Sequence, residues 1–171
     1  MNDVTSIRLR PATLRDLDML ERWDEASHVA EATGGDWGWT HDLGLNPDWR
    51  EQLIAEVDGR PVGFLQIIDP MLEETHYWGD CGPNLRAVDL WLGGEEDLSK
   101  GHGTRMMEMA LDRCFANPNV TAVLVDPLAS NSKAHRFYER FGFQSVGPRR
   151  FGDDDCIVYR LERADRRQPN S

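Results

Sequence analysis

Leu98-Ser99-Lys100-Gly101-His102-Gly103-Thr104, running straight into Arg105-Met106-Met107-Glu108-Met109-Ala110-Leu111-Asp112-Arg113-Cys114, is the stretch on which the reading of the whole chain turns. Two glycines one residue apart let a backbone turn tightly, and the helix that the following pattern predicts leaves its first N–H groups without partners. Such groups suit a phosphate. The stretch is not a P-loop, because Gly101 lacks a second glycine five residues on with Lys-Ser/Thr behind it, and Met106 stands where G-x-G-x-x-G requires glycine. Two readings remain: a short pyrophosphate cradle, or a glycine-rich turn before an ordinary helix.

Outward from this turn, Met106, Met107, Met109, Ala110, Leu111 and Phe115 give a helix a broad apolar side, which Asn117-Pro118 stops. Just upstream, Ala87-Val88-Asp89-Leu90-Trp91-Leu92 reads as a strand with a carboxylate inside an apolar run, a costly place unless Asp89 has partners or a task. Downstream, residues 121–125 read as a buried strand ending in Asp126-Pro127, and residues 132–141 as a second helix closed by Gly142. Residues 6–10 alternate like a half-buried strand until Pro11. Thr13 and Asp16 then have the spacing of a variant capping box, before Leu14, Leu17, Leu20 and Trp23 at helical spacing. Runs 51–57 and 61–68 around Asp58-Gly59-Arg60 predict a hairpin, and 143–146 and 156–161 are the closing strands, joined by a loop holding Asp153-Asp154-Asp155. Residues 33–49 keep no period and carry Trp37, Trp39 and Trp49, which either anchor a loop to the core or line a pocket for a ring-shaped ligand. The acidic, glycine-bearing stretch 69–85 reads as mostly loop, and 163–171 as a frayed polar tail.

A chain of 171 residues is most simply one domain, here placed at 1–162 ahead of that tail. Nineteen Lys plus Arg against thirty Asp plus Glu leave a formal charge of -11, which repels nucleic acid and anionic membrane surfaces and favours a cationic partner. Cys81, Cys114 and Cys156 are an odd number, far apart, without a C-x-x-C pair, and read as reduced thiols. With no apolar run near the ~20 residues that span a bilayer and no basic n-region at Met1-Asn2-Asp3, the expected location is the cytoplasm. The five histidines show no H-x-x-x-H or H-E-x-x-H spacing, so no metal site is expected.

Asn131, Ala134, Tyr138, Glu139, Gly142 and Phe143 spell N-x-x-A-x-x-x-Y-E-x-x-G-F, and with Lys100 to Thr104 and Asp126-Pro127 this combination resembles the GCN5-related N-acetyltransferases. Within them the chain is similar, over residues 7–161, to the aminoglycoside 6'-N-acetyltransferases, and next to the acetyltransferases of siderophore biosynthesis. Matching pieces include Trp23, Ser27-His28, Gly34-Gly35 and Arg86-Ala87-Val88-Asp89. The resemblance implies a mixed α/β fold, with a central, mostly antiparallel twisted sheet splayed at the cofactor site and flanked by helices. It implies acetyl-CoA as cofactor and direct transfer of acetyl to a primary amine of an aminoglycoside, which confers antibiotic resistance.

By the same resemblance Lys100, Gly101, His102, Gly103 and Thr104 would hold the pyrophosphate, Leu90, Trp91 and Leu92 the pantetheine arm, and Asn131 a further part of the cofactor. Tyr138 would protonate the leaving thiolate, although a tyrosine on a helix against a sheet is by default structural. Asp89 would take the proton from the amine; a carboxylate of ordinary pKa ~3.9 is a weak base for that, so the role needs burial or a water relay. Trp23, His28, Asp80, Asp89 and Asp126 would meet the substrate, while Asp126, preceding Pro127, equally suits a turn. Two departures bear on the acceptor. Ala32-Thr33 stand where the aminoglycoside enzymes carry two tryptophans, and Cys81-Gly82 where they carry Thr-Asp, so Trp37, Trp39 or Asp80 would have to rebuild the platform. Competing readings are a siderophore precursor or protein N-terminus as acceptor, and an acyl-CoA-binding module without catalysis. The sequence specifies no oligomeric state.

Overall fold

In the computed structural model, which describes residues 6–33 and 38–167, the patterns become strands β1 (Ile7–Pro11), β2 (Arg50–Val57), β3 (Arg60–Ile68), β4 (Leu85–Leu92), β5 (Ala122–Val125), β6 (Gln144–Phe151) and β7 (Asp154–Glu162). Helices α1 (Leu17–Asp24), α2 (Ser27–Thr33), α3 (Trp39–Asp42), α4 (His102–Ala116) and α5 (Ser132–Arg140) flank them. The strands form one sheet in the order β1-β2-β3-β4-β5-β7-β6. Neighbours run antiparallel except β4 and β5, whose parallel pairing lasts only from Leu85↔Ala122 to Ala87↔Leu124. Beyond Ala87, β4 continues beside β3 alone, and β5 departs into Asp126-Pro127. The sheet splays there, and past Ala87 one edge of β4 is no longer covered by β5.

Local chemistry sets these elements. Asp58 and Gly59 both take positive φ (52° and 79°), the backbone of a two-residue hairpin turn, and fix the β2–β3 register at Val57↔Arg60. Thr13 and Asp16 form the expected capping box, which opens a short 3-10 turn ahead of α1. Leu14 is exposed and does not join the Leu20 face. On one side of the sheet α4 buries Met106, Met107, Ala110, Leu111 and Cys114 against Leu53, Leu65 and Val88. On the other, α1 to α3 bury Leu20, Val29 and Trp39 against Ile54, Phe64 and Trp91.

Three expectations are corrected. Residues 33–49 are not a continuous loop, because α2 ends at Thr33 and α3 seats Trp39 edge-on against Phe64 at 4.8 Å. Trp39 is therefore core, 2% exposed, and not a ligand platform. The supposed loop between the closing strands is mostly hairpin, so Asp154 and Asp155 lie in β7 and pair with Phe151 and Arg150. Of the supposed tail, residues 163–167 are docked, not frayed, and residues 168–171 lie outside the described residues. Arg163 donates to the carbonyls of Phe115, Asn117 and Val120, capping the end of α4, and the Arg167 N–H donates to the Phe141 carbonyl at 2.9 Å. Among the described residues, no helix is long and apolar enough to cross a membrane.

Candidate active site

The register of the sheet builds the first half of the site. Gln52 pairs with Gln66, and Gln66 with Asp89, so the three side chains stand in a row across β2, β3 and β4. Gln52 Nε2 donates to Gln66 Oε1 at 3.0 Å, which turns the Gln66 amide so that its Nε2 donates to Asp89 Oδ2 at 3.2 Å. Asp89 lies just past the last β4–β5 pair, at the mouth of the splay. Asp126 follows directly from β5 and faces the same opening, so the two carboxylates share one cavity. Arg86 does not neutralise Asp89; it pairs with Asp69 at 3.2 Å. Burial pushes the Asp89 carboxyl up to about 6, against the Gln66 hydrogen bond. Burial, and next the charge of Asp89, push Asp126 to about 7. Two carboxyls in one low-dielectric site do not ionise independently.

On one side of this pair a groove of about 630 Å³ runs between the end of β4 and the start of α5, and reaches the glycine turn. Leu90, Trp91, Leu92, Gly103, Asn131 and Tyr138 border it. Asn131 caps α5, its Oδ1 accepting from the Ala134 N–H at 3.2 Å. Tyr138, 8% exposed, is held edge-on by Phe137 and Phe143. Burial, then the charges of Asp89 and Asp126, push its phenol pKa upward, so it keeps its proton. The glycine turn has the shape a cradle needs, for two separate reasons. Gly101 has φ +82° with open space around it, so its conformation demands glycine; Gly103 is flush with the groove wall, where a Cβ would stand 3.9 Å from Phe137. No side chain caps the first turn of α4, so its N–H groups stay available. His102 is buried and Lys100 exposed. A groove with a strand edge on one wall and an uncapped helix N-terminus at its end fits an extended arm carrying a pyrophosphate.

On the other side of the carboxylate pair lies an acidic cavity of about 370 Å³, bordered by Trp49, Gln66, Glu73, Tyr77, Trp78, Asp89, Asp126 and Asp154. Its floor is polar and its walls aromatic. Glu73 organises the wall: its carboxylate accepts from the N–H groups of Thr75 and Tyr77 at 2.7 and 2.9 Å. Tyr77 in turn donates its hydroxyl to Asp126 Oδ2 at 2.5 Å.

Of the sequence-predicted substrate residues, Asp89 and Asp126 come together here. The other three do not border this cavity. His28 borders the groove beside β4 and α5, with Nε2 donating to the Leu92 carbonyl at 2.9 Å. The Trp23 ring lies on the backbone of Gly93, where a Cβ would stand 2.0 Å from it. Asp80 is exposed on the loop after Trp78. Trp37 and the Gly34-Gly35 pair fall outside the described residues. The sequence reading missed Gln66, Glu73, Tyr77 and Trp78. Gln66 had a signal, a polar residue in an apolar strand; the others sit in a stretch without period, where Tyr77 and Trp78 find distant partners in Asp126, just after β5, and Arg149 of β6.

The GNAT acetyltransferase domain model matches residues 12–151. Among curated proteins the chain is similar to aminoglycoside N(6')-acetyltransferase type 1 of Klebsiella pneumoniae, 29% identical over 156 residues, which cover 85% of this chain and 78% of that one. It is also similar to the lysine N-acyltransferase MbtK of Mycobacterium tuberculosis, 24% identical over 160 residues, 90% of this chain and 76% of that one. Among solved structures, aminoglycoside acetyltransferase AAC(6')-Ib in complex with coenzyme A and kanamycin superposes with a TM-score of 0.80 at 28% identity, over 94% of this chain and 96% of that chain. Splayed sheet, glycine turn, asparagine-capped helix and domain match agree: the chain belongs to the GNAT acetyltransferase family.

Proposed function

We propose that this protein is a cytoplasmic enzyme that transfers acetyl from acetyl-CoA to the 6'-amine of an aminoglycoside, by direct attack without an acyl-enzyme. The observation that carries the reading is the Asp89–Asp126 pair, set where an acidic, aromatic-walled cavity meets the groove below the glycine turn. The named activities of the Klebsiella relative and of the kanamycin-bound structure support it. Bound acetyl-CoA would supply a thioester carbonyl. The chain's residues do the rest. The N–H groups of the turn from Gly101 to Thr104 receive the pyrophosphate, and the stretch of β4 from Leu90 to Leu92 that borders the groove receives the pantetheine arm, with Asn131 beside it.

The carboxylate pair draws in the ammonium and takes one proton from it, a task suited to carboxyls raised to about 6 and 7 and poorly suited to one at 3.8. The C–N bond then forms and the C–S bond breaks; the thiolate takes the proton of the Tyr138 hydroxyl, the second proton shed by the nitrogen restores the phenol, and the first leaves the carboxylate pair for solvent. The transfer to the pair and the transfer from Tyr138 assist each other. The charges of Asp89 and Asp126 hold the phenol proton; when the pair accepts a proton that hold weakens, and Tyr138 becomes the stronger acid at the moment a donor is needed. The single domain and the acidic surface fit a small cationic acceptor. A second reading has specific support in the mycobacterial lysine N-acyltransferase.

An acceptor panel separates them: 6'-amino and 6'-hydroxy aminoglycosides, lysine, hydroxylysine analogues and short peptides, read as kcat/KM at low and moderate salt. Kanamycin-type 6'-amines should be preferred over their 6'-hydroxy analogues, with kcat/KM falling as salt screens the carboxylates. A preference for lysine-like amines or peptides, or equal use of the 6'-amino and 6'-hydroxy compounds, overturns the assignment and leaves the family standing.

A further inference from the structure

The segment between β3 and β4 carries a tyrosine that no step above uses. Tyr77 is 43% exposed, yet its hydroxyl turns inward to Asp126 at 2.5 Å, and its side chain borders both the acidic cavity and the opening shared by the two carboxylates. Its placement is built. The ring stacks on Phe151 with centroids 4.3 Å apart and planes within 6°. Arg149 lies over the same Phe151 ring at 4.6 Å and donates to the carbonyls of Trp78 and Tyr77 at 3.2 and 3.4 Å. Glu73 holds the Tyr77 N–H from the other end of the loop. A loop tied at three points to a hairpin and to itself aims one hydroxyl at one oxygen.

We infer that Tyr77 is a positioning residue for acceptor capture: its hydroxyl occupies one oxygen of Asp126 and leaves the other to receive the acceptor's ammonium. The inference rests on the acetyl-transfer reading above and adds to it the device that orients the second carboxylate. A hydroxyl that donates to a buried carboxylate favours its ionised form and fixes its rotation. Asp126 needs both, because Asp89 from β4 repels its charge and Asp154 from β7 adds a further carboxylate to the cavity. The phenol of Tyr138 from α5 and the thiol of Cys156 from β7 face it as neutral groups. Arg149 from β6 offsets part of the repulsion but spends its hydrogen bonds on the loop. Without the Tyr77 hydroxyl, Asp126 takes up a proton at higher pH and rotates away from the ammonium.

Tyr77→Phe keeps the stack on Phe151 and removes only the hydroxyl. The expected result is an acidic limb of the kcat/KM profile moved to higher pH, with the KM for the amine raised about 10-fold near pH 7, in keeping with a lost hydrogen bond to a charged group. kcat above pH 8 and acetyl-CoA affinity should stay close to the parent. Carbon-13 titration of the Asp126 carboxyl should move in the same direction, with no acceptor present. Phe151→Leu, which loosens the ring and keeps the hydroxyl, should give a smaller shift of the same sign. An unmoved limb and an unmoved Asp126 titration, with only the melting temperature or the overall rate reduced, overturn the inference and leave Tyr77 as packing. If the parent acetylates no amine of the panel, the functional reading fails separately, and the carboxyl titration still decides whether Tyr77 governs Asp126.

Discussion

Asp89 stands one register step from a glutamine that is itself held by a glutamine, and this row fixes what its charge costs and does. Asp89→Asn keeps the size and loses the base. We expect turnover to fall about 100-fold or more, the usual contribution of a positioned base, with acetyl-CoA affinity by calorimetry unchanged. The same substitution should stabilise the fold. Both carboxyls are raised in the folded state, from 3.8 to about 6 and about 7, so between pH 4 and 7 the folded chain holds protons that the unfolded chain has released. Stability from these groups therefore falls as pH rises through that window. The melting temperature of Asp89→Asn should exceed that of the parent by roughly 3–6 °C at pH 8, about 1–2 kcal/mol at this size, and the gain should vanish below pH 4; a variant that melts lower at pH 8 contradicts it. Asp89 was legible in the sequence, since a carboxylate inside Val88 to Leu92 needs a reason. Tyr77 was not, because its meaning comes from a partner 49 residues away.

At the scale of elements, the glycine turn and α4 show two glycines present for unlike reasons, and substitutions should separate them. Gly101→Ala places a side chain at φ +82° in open space, so it should cost about 1 kcal/mol of stability and loosen the start of α4. Gly103→Val meets no strained backbone; its branches extend from a Cβ only 3.9 Å from Phe137 into the groove. It should leave the melting temperature within a few degrees of the parent and weaken acetyl-CoA binding strongly, as read by calorimetry; unchanged affinity would remove this wall from the cofactor path. The spacing of the turn was legible because it is local chemistry. The loop-like reading of residues 33–49 failed at α3 for the converse reason: a helix of four residues holds its shape by burying Trp39, which no short period announces.

For the molecule as a whole, the segment after β7 closes the structure. Gly142, at φ +101°, passes so near the chain's end that a Cβ would stand 2.3 Å from the Asp165 carbonyl oxygen, and Arg163 ties the same segment to the end of α4. Removing residues 163–171 should uncap α4 and lower the melting temperature by roughly 4–8 °C, about 2 kcal/mol, in thermal unfolding; a truncated chain as stable as the parent would return this segment to the status of a tail. By itself the sequence determined the strands and long helices, through period, capping and turn residues. It also marked candidate site residues, through a glycine turn, a strand carboxylate and a motif holding Asn131 and Tyr138. Those are short-range patterns, written within a dozen residues. Only the tertiary structure decided that β4 and β5 part after three pairs, that Asp89 and Asp126 thereby share one opening, and that Tyr77, Glu73 and Trp78 wall the acidic cavity. Each of these depends on strands far apart in the chain coming to adjacent positions, and the physical cause, burial of charge in a splayed sheet, exists only once the sheet has formed.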